Sequence, residues 1–322
     1  MLEYSNANIT AWTRLGMRKS FGKMMFELAE DKPNFMIVAA DMANSGNLLE
    51  FAEKYPDRFL NVGVAEQNMA GIAAGLAKEG NRVFIVSFAP FVAMRAYEAI
   101  RTLLGYMHLD VKIIALSSGL SLGFQGNTHY CMEDLALMRL IPGMAVLSPA
   151  DCVEEAKCLE YLCDHQGPAY LRLTGIDGTP GIHKKESVLT PGEPEILREG
   201  SDLALIATGS VTNECVRAAR ALKQHNLDCT VVNVPFIKPL RDEPIIQLCQ
   251  RHRLVVSVEE HYAVGGLGGA IAEILATEKD CAPLLRIGIK DEFPTEGNYS
   301  ELLDRCGLTA PRILERVLSV LG

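Results

Sequence analysis

Arg82-Val-Phe-Ile-Val-Ser-Phe-Ala-Pro-Phe-Val-Ala-Met-Arg-Ala-Tyr-Glu-Ala-Ile-Arg-Thr-Leu-Leu-Gly-Tyr-Met-His-Leu-Asp-Val-Lys-Ile-Ile-Ala-Leu116 is the stretch whose reading decides the fold. It opens and closes on apolar runs of strand length, residues 82–87 and 111–116. Between them Ala93, Ala96, Tyr97, Ile100, Leu103 and Leu104 recur at helical spacing. Strands buried on both faces read as continuous apolar runs, so this is a strand–helix–strand unit inside a parallel sheet.

The same alternation extends outward. Runs at 35–40, 58–62, 144–147 and 169–173 add strands to that sheet, and Met17, Phe21, Met24, Met25 and Leu28 mark a helix that covers it. From Gly175 to Ser201 the pattern lapses, with Pro180, Pro191 and Pro194 interrupting any helix. A second series of strands follows at 202–207, 229–234, 254–258 and 284–288. A last helix starts near Thr309, which can cap it ahead of Pro311. The expected class is α/β, with two domains, each a largely parallel sheet flanked by helices.

Composition excludes several functions. A net charge of -9 leaves no basic footprint for nucleic acid or for an anionic membrane surface, and no apolar stretch is long enough to span a bilayer. The nine cysteines contain no C-x-x-C pair, so they read as small buried hydrophobes of a reducing compartment, and the expected location is cytoplasmic. No Walker-type phosphate loop occurs. Gly266-x-Gly268 has Ile271 where a dinucleotide fingerprint needs glycine, so it reads as a tight strand-to-helix turn.

One charge stands out. Glu66 lies at the mouth of the small, apolar run Asn61-Val-Gly-Val-Ala-Glu-Gln-Asn-Met-Ala-Gly-Ile-Ala-Ala-Gly-Leu-Ala77. A carboxylate there must find a partner, hold a proton, or sit where helix N–H groups favour it. Ligands of open parallel sheets bind beyond the carboxyl ends of strands, which points to the loops 41–46, 117–129 and 259–269. The 13-residue loop from Ser117 carries one histidine, His129.

Taken together, Asn61 to Met69, Ser87-Phe-Ala-Pro-Phe91, Gly123-Phe-Gln-Gly-Asn-Thr-His129 with Glu133-Asp-Leu135, and Val258-Glu-Glu-His261 with Gly265-Gly-Leu-Gly268 resemble the transketolases, specifically a C-terminal half encoded as a separate subunit. The resemblance implies a pyrimidine-binding domain at 13–180, a linker at 181–194 and a transketolase C-terminal domain at 195–322. It also implies thiamine diphosphate as cofactor. The Gly-Asp-Gly motif that holds the metal and diphosphate in that family is absent, so Mg2+ or Ca2+ is expected on an N-terminal, diphosphate-domain partner subunit, with two copies of each chain in a heterotetramer.

By the same resemblance Glu66 bonds the aminopyrimidine ring nitrogen, where a desolvated carboxyl can share a proton and promote deprotonation of the thiazolium carbon. Phe88 and Phe91, with Met94 on the same helix face, stack against the pyrimidine. Asp41 and Met42 line the cofactor's middle, although Asp41 also reads as a helix cap. His129 faces the donor sugar, and Arg18 and Ser45 contact its distal phosphate. Three family positions differ: Ser117 replaces a histidine, Gly175 an arginine and Gln125 an aspartate. The usual sugar phosphates are therefore in doubt, and a branched, deoxy or sulfonated sugar is open.

Two other enzymes share the domain pair, a 2-oxoacid dehydrogenase beta subunit and a deoxyxylulose phosphate synthase. They differ in releasing carbon dioxide from their donor. A non-catalytic assembly subunit is the alternative of another class.

Overall fold

The apolar runs become buried strands. In the structure, a computed structural model that describes residues 1–321, β1 (Phe35–Ala39), β2 (Phe59–Asn61), β3 (Arg82–Phe88), β4 (Val111–Leu116), β5 (Ala145–Leu147) and β6 (Ala169–Arg172) lie in one sheet. A second sheet holds β7 (Glu195–Arg198), β8 (Leu203–Thr208) and β9 (Cys229–Asn233); β10 (Phe236–Lys238) leaves it, and β11 (Leu254–Tyr262) and β12 (Leu284–Ile289) complete it. The orders are β10-β5-β6-β4-β3-β1-β2 and β12-β11-β8-β9-β7. Pairing is parallel except β10 on β5 and β7 on β9.

Side chains alternate across the first sheet, as a period of two requires. Ile37, Phe84, Val86 and Ile114 face the helix Asn6–Asp31, whose Met17, Phe21, Met24, Met25 and Leu28 are all buried there. Val38, Val83, Ile85 and Ile113 face the opposite side, where Met69, Ala70 and Ala73 of the helix Glu66–Lys78 pack with Ala93, Ala96, Ile100 and Leu104. Each large apolar side chain so buried contributes about 1.5–3 kcal/mol.

Two elements differ from the sequence expectation. β7 lies inside the segment whose pattern lapses, and β10 crosses from the second series to the edge of the first sheet. The helical region after β3 is also wider than an α-helix over Phe91–Arg95, where Ala96 N–H donates to Phe91 O at 3.2 Å. The last helix, Ala310–Leu321, follows Thr309 directly.

Seven of the nine cysteines are buried, and all are free. Burial pushes the Cys229 and Cys306 thiols up to about 12 and about 11. The Gly265–Gly269 turn is a packing device. Glu259 caps the helix Leu267–Leu275 by accepting from Leu267 N at 2.7 Å and Gly268 N at 2.8 Å, and a methyl on Gly266 would overlap its Oε2.

Candidate active site

Register aligns the loops. Ala39 pairs with Asn61 and Val86, Phe88 with Leu116, and Ala115 with Arg172, so the chain leaves neighbouring strands at one level near Asp41, Asn61, Phe88, Ser117 and Leu173. Asn61 ties two exits together, its Oδ1 accepting from Asp41 N and from Gly63 N, each at 3.0 Å. Asp41 caps no helix; it is exposed, with φ 57°. Met42 and Phe88 are half-buried against the apolar cluster on the Asn6–Asp31 side.

Glu66 is the first residue of its helix and only 2% exposed. Two of the three conditions for a charge there are met, because it also has a cation: Arg95 Nη1 donates to its Oε2 at 2.8 Å. Arg95 in turn lies 4.3 Å over the Phe91 ring, a geometry set by the i,i+4 relation on the widened turn. Its backbone carbonyl accepts from Gln67 Nε2 at 3.1 Å, which closes the frame. Sequence reasoning missed Arg95. The signal was present as a cation four residues after an aromatic, but such a residue reads as part of a solvated face.

His129 completes an aromatic edge. Its ring centroid lies 5.4 Å from Phe91 and 6.4 Å from Phe88, and the two phenylalanines are 6.3 Å apart, all edge-on. Its Nδ1 pairs with Thr128 Oγ1 at 2.9 Å. Glu66 and His129 thus flank the Phe91 ring, one through Arg95 and the other directly. The rim is open: Gly63, Val64, Gln67 and Met94 are exposed.

Arg18, Ser117 and Gly175 line one cavity of about 250 Å³ together with Gly16, Ser121 and Asp177. The helix Asn6–Asp31 kinks at Gly16 beside it. Arg18 makes no ion pair among the described residues, whereas Asp177 is held by Lys19 at 2.6 Å. Ser45 is half-buried in the loop after β1, and Gln125 is exposed in a short 3-10 turn, Gly123–Thr128. Neither borders this cavity.

The residues fit one end of a thiamine diphosphate. Glu66 offers a buried carboxylate engaged through one oxygen alone among the described residues, beside the Phe88–Phe91 pair at the open rim. Elsewhere Glu154, His183 and Glu195 converge closely enough for a cation, but both His183 nitrogens are already bonded to carboxylates.

The sequence matches "Transketolase, pyrimidine binding domain" over residues 13–177 and "Transketolase, C-terminal domain" over 192–313. It is 41% identical over 305 residues to a putative transketolase C-terminal section of Methanocaldococcus jannaschii, covering 94% of this chain and 95% of that one. It is 34% identical to one subunit of the apulose-4-phosphate transketolase of Actinobacillus succinogenes, covering 88% of this chain and 91% of that one. A solved split gene transketolase, described as an inactive beta4 tetramer, superposes with a TM-score of 0.85 at 35% identity, covering 95% and 97%.

Proposed function

The chain belongs to the transketolase family, and from that premise we propose that it is the C-terminal subunit of a split enzyme. That enzyme moves a two-carbon ketol unit from a ketose to an aldose and is active only with a diphosphate-domain partner. The observation that carries this reading is the pairing of a buried Glu66 with an exposed rim and no Gly-Asp-Gly anywhere in the chain. The buried Glu66 at an open rim supports a site for one end of the cofactor, and the motif that holds the diphosphate end in the family does not occur in this sequence. The inactive beta4 assembly of the similar split transketolase is consistent with that division.

When bound, thiamine diphosphate supplies the carbon that attacks the ketose carbonyl and carries the two-carbon unit. Glu66 holds and returns a proton at the aminopyrimidine ring nitrogen, while Arg95 keeps its carboxylate oriented by binding Oε2. Phe88 and Phe91, edge-on to one another with centroids 6.3 Å apart, would hold the pyrimidine by aromatic contact. Asp41 and Met42 line the middle of the cofactor, and Met94 borders the pyrimidine from the rim. His129 moves a proton at the donor's carbonyl oxygen. The metal, Mg2+ or Ca2+, belongs to the partner, and two copies of each chain form a heterotetramer.

Arg18 at the 250 Å³ cavity favours an anionic substrate tail, with Ser117 as a neutral neighbour there; Ser45 and Gln125, outside that cavity, contact the substrate from the loop after β1 and at the acceptor end. The test is reconstitution with a chain bearing Gly-Asp-Gly. Mixed subunits and thiamine diphosphate should release an aldehyde from a ketose donor without carbon dioxide. Carbon dioxide release from a 2-oxoacid, or activity without the partner, overturns the proposal.

A further inference from the structure

The loop carrying His129 is held from the other domain. Glu260, near the carboxyl end of β11, is completely enclosed, and its two oxygens face opposite ways. Oε1 accepts the backbone N–H of Leu120 at 2.6 Å; Oε2 accepts the Tyr299 hydroxyl at 2.7 Å and the Ser210 hydroxyl at 3.3 Å. Glu260's own backbone carbonyl takes Arg172 Nη2 at 2.8 Å. That nitrogen also donates to Cys131 O at 3.3 Å, at the far end of the loop.

Gly119 and Cys131 pair as an isolated antiparallel bridge, so these two grips close the loop at its base. A methyl on Gly119 would overlap Glu260 Oε1, and the residue has φ 65°, so the approach requires glycine. Higher up, Asn127 Nδ2 donates to Pro294 O at 2.7 Å, and Tyr130's hydroxyl donates to Gly123 O. Burial pushes the Glu260 carboxyl up, against Arg172, Tyr299, Leu120 and Ser210, which favour its charge.

We infer that the C-terminal domain positions the catalytic loop, with Glu260 as the positioning residue that joins Leu120 to Tyr299 and Ser210. The loop has little regular structure of its own, and at its Leu120 end Glu260 adds a side-chain hold to the Gly119–Cys131 bridge, the Arg172 bond to Cys131 O and the Ser118 N–H bond to Leu173 O at 2.8 Å. A carboxylate suits the task because each oxygen accepts from a different domain. Glutamine keeps an oxygen for Leu120 and turns its amide toward the Tyr299 hydroxyl, which can rotate to accept it. The anchoring itself rests on geometry; its effect on turnover rests on the function proposed above.

Hydrogen exchange by mass spectrometry on the full chain tests the anchor. In Glu260→Ala, peptides within 118–131 should exchange about tenfold faster, the loss of roughly one hydrogen bond, while peptides from β3 and β4 stay unchanged. Glu260→Gln should restore most of the protection. In the reconstituted complex, Glu260→Ala should lower kcat about 100-fold, as expected of a loop displaced by about 1 Å. Affinity for thiamine diphosphate should stay within about twofold, since Glu66, Phe88 and Phe91 lie on other segments.

Unchanged exchange over 118–131 overturns the anchor, and faster exchange with unchanged kcat overturns the positioning role. If Glu260→Ala loosens the whole chain, Tyr299→Phe decides, because it removes one donor to the same carboxylate; no local rise there also overturns the anchor. A wild-type complex without ketol transfer refutes the proposed function and leaves the exchange result standing.

Discussion

Replacing His183 by alanine strips the neutralising cation from a buried acidic cluster between the domains. His183 Nδ1 lies 3.0 Å from Asp151 Oδ2, and Nε2 lies 2.8 Å from Glu195 Oε2 and 3.7 Å from Glu154 Oε1. Asp151 also caps the helix Cys152–Asp164 and accepts from Ile182 N and His183 N, while Asn233 donates to Glu154 at 2.7 Å. Removing one partner of such a buried set costs about 3–5 kcal/mol. At a slope of about 3 kcal/mol per M, the urea midpoint should fall by roughly 1 to 1.7 M.

The pH dependence fixes the sign. Burial lowers the His183 imidazole, but hydrogen bonds to Asp151 and Glu195 and the charge of Glu154 outweigh it and raise it to about 11. Its contribution is complete below the ordinary 6.5 and is lost as pH rises toward 11. Burial also opposes the Asp151 charge, but His183 holds that carboxyl at about 2, so its contribution disappears only as pH falls from 3.8 toward 2. Burial raises Glu154 to about 7, which costs stability as pH climbs from 4.5 through 7. Urea titrations across pH should therefore show the gap between wild type and His183→Ala widest near pH 5–6 and shrinking in alkali. Equal midpoints at pH 6, or a gap that widens toward pH 10, would refute the reasoning.

Glu66→Gln should leave assembly with the partner intact and slow thiazolium hydrogen exchange, followed by NMR in the complex, by about 10²- to 10⁴-fold; an unchanged rate removes the proposed role. Arg172→Met should cost about 3–5 kcal/mol because Asp134, entirely buried and also bonded by Tyr170, loses its guanidinium. Arg172→Met with Asp134→Leu should recover most of that in denaturant titration, and strict additivity would show the pair uncoupled. Gly266→Ala should destabilise by about 2 kcal/mol by displacing the Glu259 cap, and a wild-type melting curve would contradict it.

Strands buried on both faces were legible because their apolar runs need no partner to be recognised. β7 and β10 were not, since three or four residues of mixed character in Pro-rich surroundings carry no period. The meeting of Glu66, Phe91 and His129 depends on β1, β3 and β4 being neighbours, which no local pattern states. Each residue was visible only inside its own block. Arg95 and Glu260 were hidden for opposite reasons: one resembles ordinary helix surface, and the other meets Leu120 across 140 positions of chain.

β10 gives the two halves a shared boundary. By closing the exposed edge of β5 with a strand made about 90 residues later, the chain makes its first sheet unfinished until much of the second half has been synthesised. A fragment ending at residue 180 would present β5 as an open edge, an invitation to pair with its own copies. The two sheets should thus be inherited as one cassette, because gene fission between them would leave the first sheet without its border.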